Sequence, residues 1–430
     1  MDVHVVSKSN NSQHATFSLP TPSSQENPPL KPSSVRVRAT LLGLTSNNLS
    51  YARGGTRLHW WDAYPVPPTS PAPYNDSSEW GIVPAWGLAS VTDSSIPDLP
   101  AGTTLYGFWP TSALPVDLEL RPAEAEAGAG VRGHWREVSS RRSSLMALYN
   151  RYRVFETGGK DLEEFGWDVT VGAIMMAGYV LSEYVFTPDP VNHPPVHPLT
   201  ESEEWTVEDA DLSKTVFVSL AASTKTARTV AYNFFCRPRN TGPLAFLQVT
   251  SKPKDILEAA EKFIPQFPVG AIAYEDVVSS GRWIARLRPE RVVVADFGAR
   301  DGALDGLVKS IESTPELQSI KVTVLAVGNQ QKVYTPEELQ ASQEHFVSLN
   351  KLQMNTSPIQ ETAARHRGLG LYHEELQKRW DHWLKNRECA APDLSLVWGR
   401  GIVGTEGMEG GWEALCQSKV RPSEALVYRV

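Results

Sequence analysis

The chain reads as an α/β protein in which a β-rich first part is joined to a doubly wound parallel sheet. Three observations carry that reading. Residues 213–236 run from an apolar, β-branched segment at 215–220 through a turn of small side chains into a helix. From there to residue 327, apolar runs at 244–250, 270–274, 291–296 and 320–327 alternate with helical segments near 253–264, 276–287 and 301–313, the pattern of a parallel sheet with helices on both faces. Before it, the first 120 residues hold strand-like segments at 4–7, 15–19, 35–42, 83–91, 103–108 and 113–120 among Pro- and Gly-rich loops.

The segment at 213–236 organises the rest. A strand buried on both faces, a tight turn and a helix start bring free backbone N–H groups and the positive end of a helix dipole to one point, which suits an anion. No glycine lies between Leu220 and Val230; Ala221, Ala222 and Ser223 are the smallest side chains in the turn, and Lys225 adds a cation. The turn reads either as a nucleotide corner with alanines for glycines or as a plain strand–helix corner that binds nothing. A Walker-type loop is disfavoured, because its glycines are missing.

Composition narrows the function. Hydrophobic content of 41% and charged content of 21% are those of a soluble globular protein, and a net charge of −8 argues against nucleic acid. Cys236, Cys389 and Cys416 are too scattered for a disulfide framework or a Cys-x-x-Cys zinc site, which fits a reducing, cytoplasmic setting. Residues 7–12 are polar and give no signal core, and the longest apolar run, 169–186, contains Ser182 and Glu183 and reads as a buried helix.

The remaining elements follow in order. A Pro/Ser/Asn/Gln-rich loop runs through Pro29, a turn with a short helix occupies 43–51, and a Pro-rich loop covers 65–76. Residues 121–138 read as an Ala/Glu/Gly-rich connection, and 139–156 as a helix with Leu145, Leu148, Tyr149 and Tyr152 on one face. Residues 188–198 form a Pro-rich surface excursion in which Pro194 and Pro195 prevent His193 and His197 from acting as a helical metal pair. Helices near 335–347 and 370–387 and a strand at 425–430 close the chain.

Several of these pieces resemble the medium-chain dehydrogenase/reductase superfamily, in its zinc-free quinone-reductase and enoyl-reductase branch. Residues 35–48 are similar to its first long strand and Gly-Leu-Asn turn, 83–91 to its glycine-rich strand, 99–108 to its Val-Gly-Asp-Arg-Val-Tyr-Gly segment, and 412–427 to its closing helix and strand. The chain also resembles a microbial subgroup with a Ser-x-Lys-Thr-Ala turn, here 223–227, and a Trp-rich N-terminal domain. The resemblance implies a GroES-like catalytic domain at 1–168, a Rossmann nucleotide-binding domain at 169–348 and a segment at 349–430 returning to the first. Where zinc-dependent members place a Cys and a Gly-His-Glu, this chain has Thr45-Ser46 and Pro84-Ala85-Trp86, so no catalytic metal is expected.

By position in that superfamily, Ser223, Thr224, Lys225 and Thr226 would take the pyrophosphate, and Gly328 and Asn329 would lie near the nicotinamide. The second strand ends in Thr250-Ser251-Lys252-Pro253-Lys254, with no carboxylate for a ribose 2′-hydroxyl; Ser251 and Lys252 suit a 2′-phosphate and hence NADPH. The alternative is an ordinary solvated lysine pair. Tyr51 is the candidate proton donor, Asn48 the group that orients a carbonyl, and Trp61, Trp86 and Trp109 a flat wall for a conjugated substrate; the alternative for Tyr51 is a packed aromatic. The function so implied is an NADPH-dependent reductase of an activated C=C bond or quinone on a polyketide-type specialised metabolite. A cofactor-less binding or scaffold protein and a non-redox enzyme performing cyclisation or elimination are the alternatives. The expected partners are a small-molecule substrate, neither nucleic acid nor membrane, and a second copy of the chain through the edge strand at 320–327.

Overall fold

The computed structural model describes residues 1–21, 28–124 and 130–430. The expected loop through Pro29 and the expected connection at 121–138 fall in part outside the described residues, at 22–27 and 125–129. Two compact units are present: Met1–Ala173 with Gln331–Val333 and Ser395–Val430, and Ile174–Gln330 with Tyr334–Leu394. The return to the first unit therefore begins at Ser395 and not at 349. Helices Thr356–Arg367 and Leu369–Lys385 stay in the second unit, where Tyr372 is fully buried and the Tyr179 hydroxyl donates to Glu375 at 3.2 Å.

Strands in chain order are β1 (Asp2–Ser7), β2 (His14–Ser18), β3 (Ser34–Leu44), β4 (Trp80–Gly81), β5 (Pro84–Ser94), β6 (Thr104–Pro110), β7 (Val116–Glu124), β8 (Gly130–Glu137) and β9 (Arg151–Val154). The second unit contributes β10 (Thr215–Leu220), β11 (Ala245–Val249), β12 (Val269–Ile272), β13 (Arg291–Phe297), β14 (Lys321–Gly328) and β15 (Leu352–Gln353), and the first unit ends with β16 (Ser395–Arg400) and β17 (Glu424–Arg429).

In the first unit the order β16-β17-β3-β5-β6-β9-β8-β7, with a further β3–β7 pairing, closes a barrel. The long β3 makes closure possible: Ser34 to Val37 pair with β7, and Leu41 to Leu44 pair with β17. Closure also explains two corrections. Residues 121–124 and 130–137 lie in the paired strands β7 and β8 and not in a loose connection, and 139–156 is not one helix. It folds as two short 3₁₀ turns, Ser140–Arg142 and Ala147–Asn150, followed by β9, which fills the gap between β6 and β8. Tyr152 then packs where a Cβ on Gly107 would sit 2.2 Å from its ring. Sheet pairing overrides the helical spacing here.

The second unit has the strand order β12-β11-β10-β13-β14-β15, all parallel, which in order of appearance is 3-2-1-4-5-6. The sixth strand pairs only Leu325 and Ala326, so it covers part of the edge expected at 320–327. The expected helix at 169–186 belongs to a longer helical run, Leu162–Val185, of which Asp168–Gly172 and Leu181–Val185 are π-helical. By length and composition this run could cross a membrane, but 72% of its most apolar window is buried in the protein, as in a core helix.

A buried knot of polar groups fixes the wall of the barrel beside the aromatic site. Arg142 is fully buried; it donates to the Ala63 carbonyl and, at 2.7 Å, to the Tyr152 hydroxyl, and its guanidinium lies 4.5 Å from the Tyr64 ring centroid. The equally buried Glu137 carboxylate is 3.9 Å away and has no hydrogen bond among the described residues. Arg142→Met would leave that charge unneutralised, so urea unfolding should show a loss of about 3–5 kcal/mol. The double variant Arg142→Met with Glu137→Met should recover most of it; equal losses in the two proteins would mean that packing, not charge, is what Arg142 contributes.

Candidate functional site

At the carboxyl end of β10 the chain turns through Ala221 to Thr224 and enters the helix Lys225–Phe235. Ala221 has φ +59°, a left-handed conformation that glycine adopts freely and alanine does not. The turn is held by Ala222 N–H to the Val249 carbonyl and Thr224 N–H to the Ala221 carbonyl, each 2.9 Å. Thr224 is the N-cap, its hydroxyl accepting from the Ala227 N–H at 3.4 Å. Ser223 is buried at the surface of the turn, and Lys225 and Thr226 are half-buried at the helix start. The structure thus brings all four predicted phosphate residues to one turn at the point where strand order reverses, between β10 and β13.

Ser251 and Lys252 are exposed just beyond β11, on the next strand over. Sequence reasoning missed what joins them to the corner. Arg228, one turn into the helix, donates from Nε to the Ser223 carbonyl at 2.9 Å and grips Asp393 with both terminal nitrogens at 2.8 and 2.9 Å. Lys252 Nζ lies 3.9 Å from the same carboxylate. An arginine one turn after a phosphate-type turn is a signal the sequence offers; Asp393, 165 residues further on, offers none. Gly328 and Asn329 sit at the carboxyl end of β14, where Gly298, at φ +91°, approaches so closely that a Cβ on it would meet the Asn329 carbonyl at 2.4 Å.

In the first unit the predicted residues separate. Asn48 is 2% exposed and spent inside the fold: its Oδ1 accepts from the Thr45 N–H at 2.8 Å and its Nδ2 donates to the Pro84 carbonyl at 2.8 Å. It closes the capping box of the helix Ser46–Gly54, and burial with these bonds ties the amide to the fold, a structural role in place of the carbonyl-orienting one expected for it. Tyr51 lies on that helix, 7% exposed, edge-on to Trp60, Phe108 and Tyr149, and its hydroxyl accepts from Trp86 Nε1 at 3.2 Å.

The three tryptophans do not make one wall. Trp109 is fully buried against Tyr152 and donates to the Gly87 carbonyl at 2.9 Å. Trp61 is wedged where Cβ atoms on Gly55 and Gly81 would be 2.4 and 2.3 Å from its ring. Only Trp86 keeps a partly exposed face, stacked at 5.9 Å on Tyr106. Strand alternation is the reason: Trp109 follows Phe108 on β6 and so points to the opposite side from the ring that packs against Trp86.

His193 and His197, expected in an open loop, are drawn inward to Glu375 at 3.2 Å and Glu203 at 3.4 Å. Among the described residues no group of three or more His, Cys, Asp or Glu is placed to hold a metal ion.

The family described as "Protein of unknown function (DUF2855)" matches residues 42–421. The chain belongs to that family. No curated protein sequence matches it. Among solved structures it is similar to CurA from Vibrio vulnificus in complex with NADPH, at 10% identity and a TM-score of 0.51, covering 100% of this chain and 99% of that one. It is also similar to CurK enoyl reductase, at 12% identity and a TM-score of 0.48, covering 100% and 99%. The fold, a β-rich unit and a Rossmann unit, is that of CurA.

Burial pushes the Tyr51 phenol up to about 12, against the hydrogen bonds with Trp86 and Tyr149, which lower it. Because the folded value lies above the ordinary one of 10.0, the stability tied to this group is complete below pH 10 and is lost as pH rises towards 12. Urea unfolding at pH 9 and pH 11 should show a drop for the native chain that exceeds the drop for Tyr51→Phe by about 1 kcal/mol. Parallel drops would show that the phenol is not held in a buried, protonated state.

Proposed function

We propose that this chain is a zinc-independent, NADPH-dependent reductase of an activated C=C bond or a quinone. The observation that carries the reading is the corner itself: the 3-2-1-4-5-6 sheet sets a capped helix start at the reversal of strand order, and the neighbouring strand ends in Lys252 with no carboxylate of its own. The likeness of fold to CurA, solved with NADPH, supports the same cofactor. In this reading the Ser223 to Thr226 backbone and side chains hold the pyrophosphate, Lys252 reads the 2′-phosphate, and Gly328 and Asn329 border the nicotinamide. NADPH supplies the hydride; the protein supplies orientation and a proton donor, for which Tyr51 is the candidate through the phenol that Trp86 holds in place. A polyketide-type metabolite is the substrate class proposed, reduced in the cytoplasm.

Two observations favour a second reading. Ala221 is strained where a glycine would relax, and Asp393 already occupies both cations, so the corner is also consistent with a scaffold that has lost its nucleotide. Titration with NADPH and NADH, followed by cofactor fluorescence, separates the two. Saturable binding is expected to prefer NADPH, to weaken for both nucleotides in Lys225→Ala, and to weaken about tenfold more for NADPH than for NADH in Lys252→Ala. Asp393→Asn should tighten NADPH by freeing Lys252. No binding of either nucleotide would sink the reductase, and equal losses in Lys252→Ala would remove the 2′-phosphate assignment.

A further inference from the structure

The first unit carries a ring-lined surface whose cation is unclaimed. Antiparallel pairing sets Trp86 opposite Phe108, Leu88 opposite Tyr106, and Tyr106 opposite Arg153. As a result Trp86, Tyr106 and Phe155 form a near-parallel row, Trp86 to Tyr106 at 5.9 Å and 17°, Tyr106 to Phe155 at 6.5 Å and 26°. The Arg153 guanidinium lies over this row, 4.7 Å from the Tyr106 centroid and 5.5 Å from that of Phe155. Trp86, Tyr106 and Arg153 are each partly exposed.

What is unusual is the charge balance. Among the described residues Arg153 makes ring contacts but no hydrogen bond and no ion pair. The nearby acid is committed elsewhere: Asp168, 2% exposed, takes Lys160 at 2.7 Å, and Lys160 in turn sits 4.9 Å over Phe155. The group facing Arg153 on β8 is His134, an imidazole that supplies no negative charge in either protonation state; burial and the neighbouring Arg153 and Arg151 push it down to about 4. Contrast Arg142, also on rings, which is saturated by a carbonyl, a phenol and a carboxylate. A half-buried guanidinium resting on aromatic faces presents a flat fork of donors that matches a carboxylate, and the row beneath it presents a face that matches a planar π system.

We propose that this row is a binding site for a planar conjugated carboxylate, with Trp86 and Tyr106 stacking on its rings and Arg153 pairing with its acid group. Trp86 also donates to the Tyr51 hydroxyl, so the same indole joins the stack to the candidate proton donor. As a statement about the substrate this rests on the reductase reading; as a statement about binding it stands alone.

The test uses the full chain without nucleotide and isothermal titration calorimetry with 2-naphthoate and its neutral amide, 2-naphthamide. The native protein should bind naphthoate at least about tenfold more tightly than naphthamide. Arg153→Gln should erase that preference, Arg153→Lys should restore part of it by charge without the fork, and Trp86→Ala should weaken both ligands. Thermal unfolding of each variant controls for folding, and Arg153→Lys keeps the test valid should the glutamine variant not fold. Equal affinity for the two ligands, absence of binding, or an acid preference that survives Arg153→Gln would overturn the site. Naphthoate binding in a protein that binds no NADPH would uphold the anchor and remove the reductase. Turnover of neutral enones with no naphthoate preference would uphold the reductase and remove the anchor.

Discussion

Burial of β10 on both faces is the constraint from which the second unit follows. All six of its residues are buried, and they pair in parallel with β11 on one side and β13 on the other. A strand so enclosed cannot lie at an edge, and parallel neighbours on both sides force crossovers over both faces. The helix Lys225–Phe235 is pinned from below by ring contacts, Phe217 to Phe234 at 4.9 Å, Phe217 to Phe246 at 5.1 Å, and Phe234 to Phe246 at 5.7 Å. From above it is met by Gly178, where a Cβ would lie 2.6 Å from the Thr229 backbone. With strand and helix both fixed, the turn between them has little freedom. That is why Ala221 is held at a positive φ, a strain of about 1–2 kcal/mol that the packed elements on either side over-determine.

The first unit depends on one strand in a different way. β3 pairs with β5 along its length, with β7 at its start and with β17 at its end, so barrel closure and chain return meet on it. Its neighbours pack closely enough that Cβ atoms on Gly43 and Gly87 would come within 2.3 Å of the Val169 carbonyl and 2.2 Å of the Leu41 carbonyl. The helix Ser46–Gly54 follows directly, capped by Thr45 and tied to β5 through Asn48. Asn48 therefore acts on the site at one remove, by setting the helix on which Tyr51 sits.

Legibility in the sequence tracks how local each determinant is. Of the parallel strands, β10, β11 and β13 are the most legible because a strand buried on both faces reads as an unbroken apolar run; β10 is found at its own limits. β9 and β8 are not, because Arg151–Val154 becomes a strand only when the barrel closes around it, and its spacing of apolar residues with 145–149 imitates a helix. The role of Asn48 was available in principle, since Thr45-Ser-Asn-Asn48 has the spacing of a capping box. The failure of the tryptophan wall is one of face: sequence shows three indoles, but only register shows that Trp109 and Trp86 point apart. Asp393 at Arg228 and Arg153 over Tyr106 are contacts between distant segments, and no pattern along the chain encodes them.

Two arginines, Arg228 in the second unit and Arg153 in the first, are in opposite states. Arg228 is 7% exposed and held bidentately by Asp393, an arrangement whose partial removal leaves a buried charge and which therefore belongs to the architecture. Lys252 reaches the same carboxylate only at 3.9 Å with its side chain 49% exposed, so it loses little by turning to another anion. In the reading proposed for the corner, Lys252 is therefore the cation free to turn to a 2′-phosphate, while Arg228 anchors the carboxylate that competes for it. Among the described residues Arg153 has no such competitor. Among them it meets only ring faces, which are weak partners beside a carboxylate, and that leaves the strongest interaction of the proposed site for a ligand to complete.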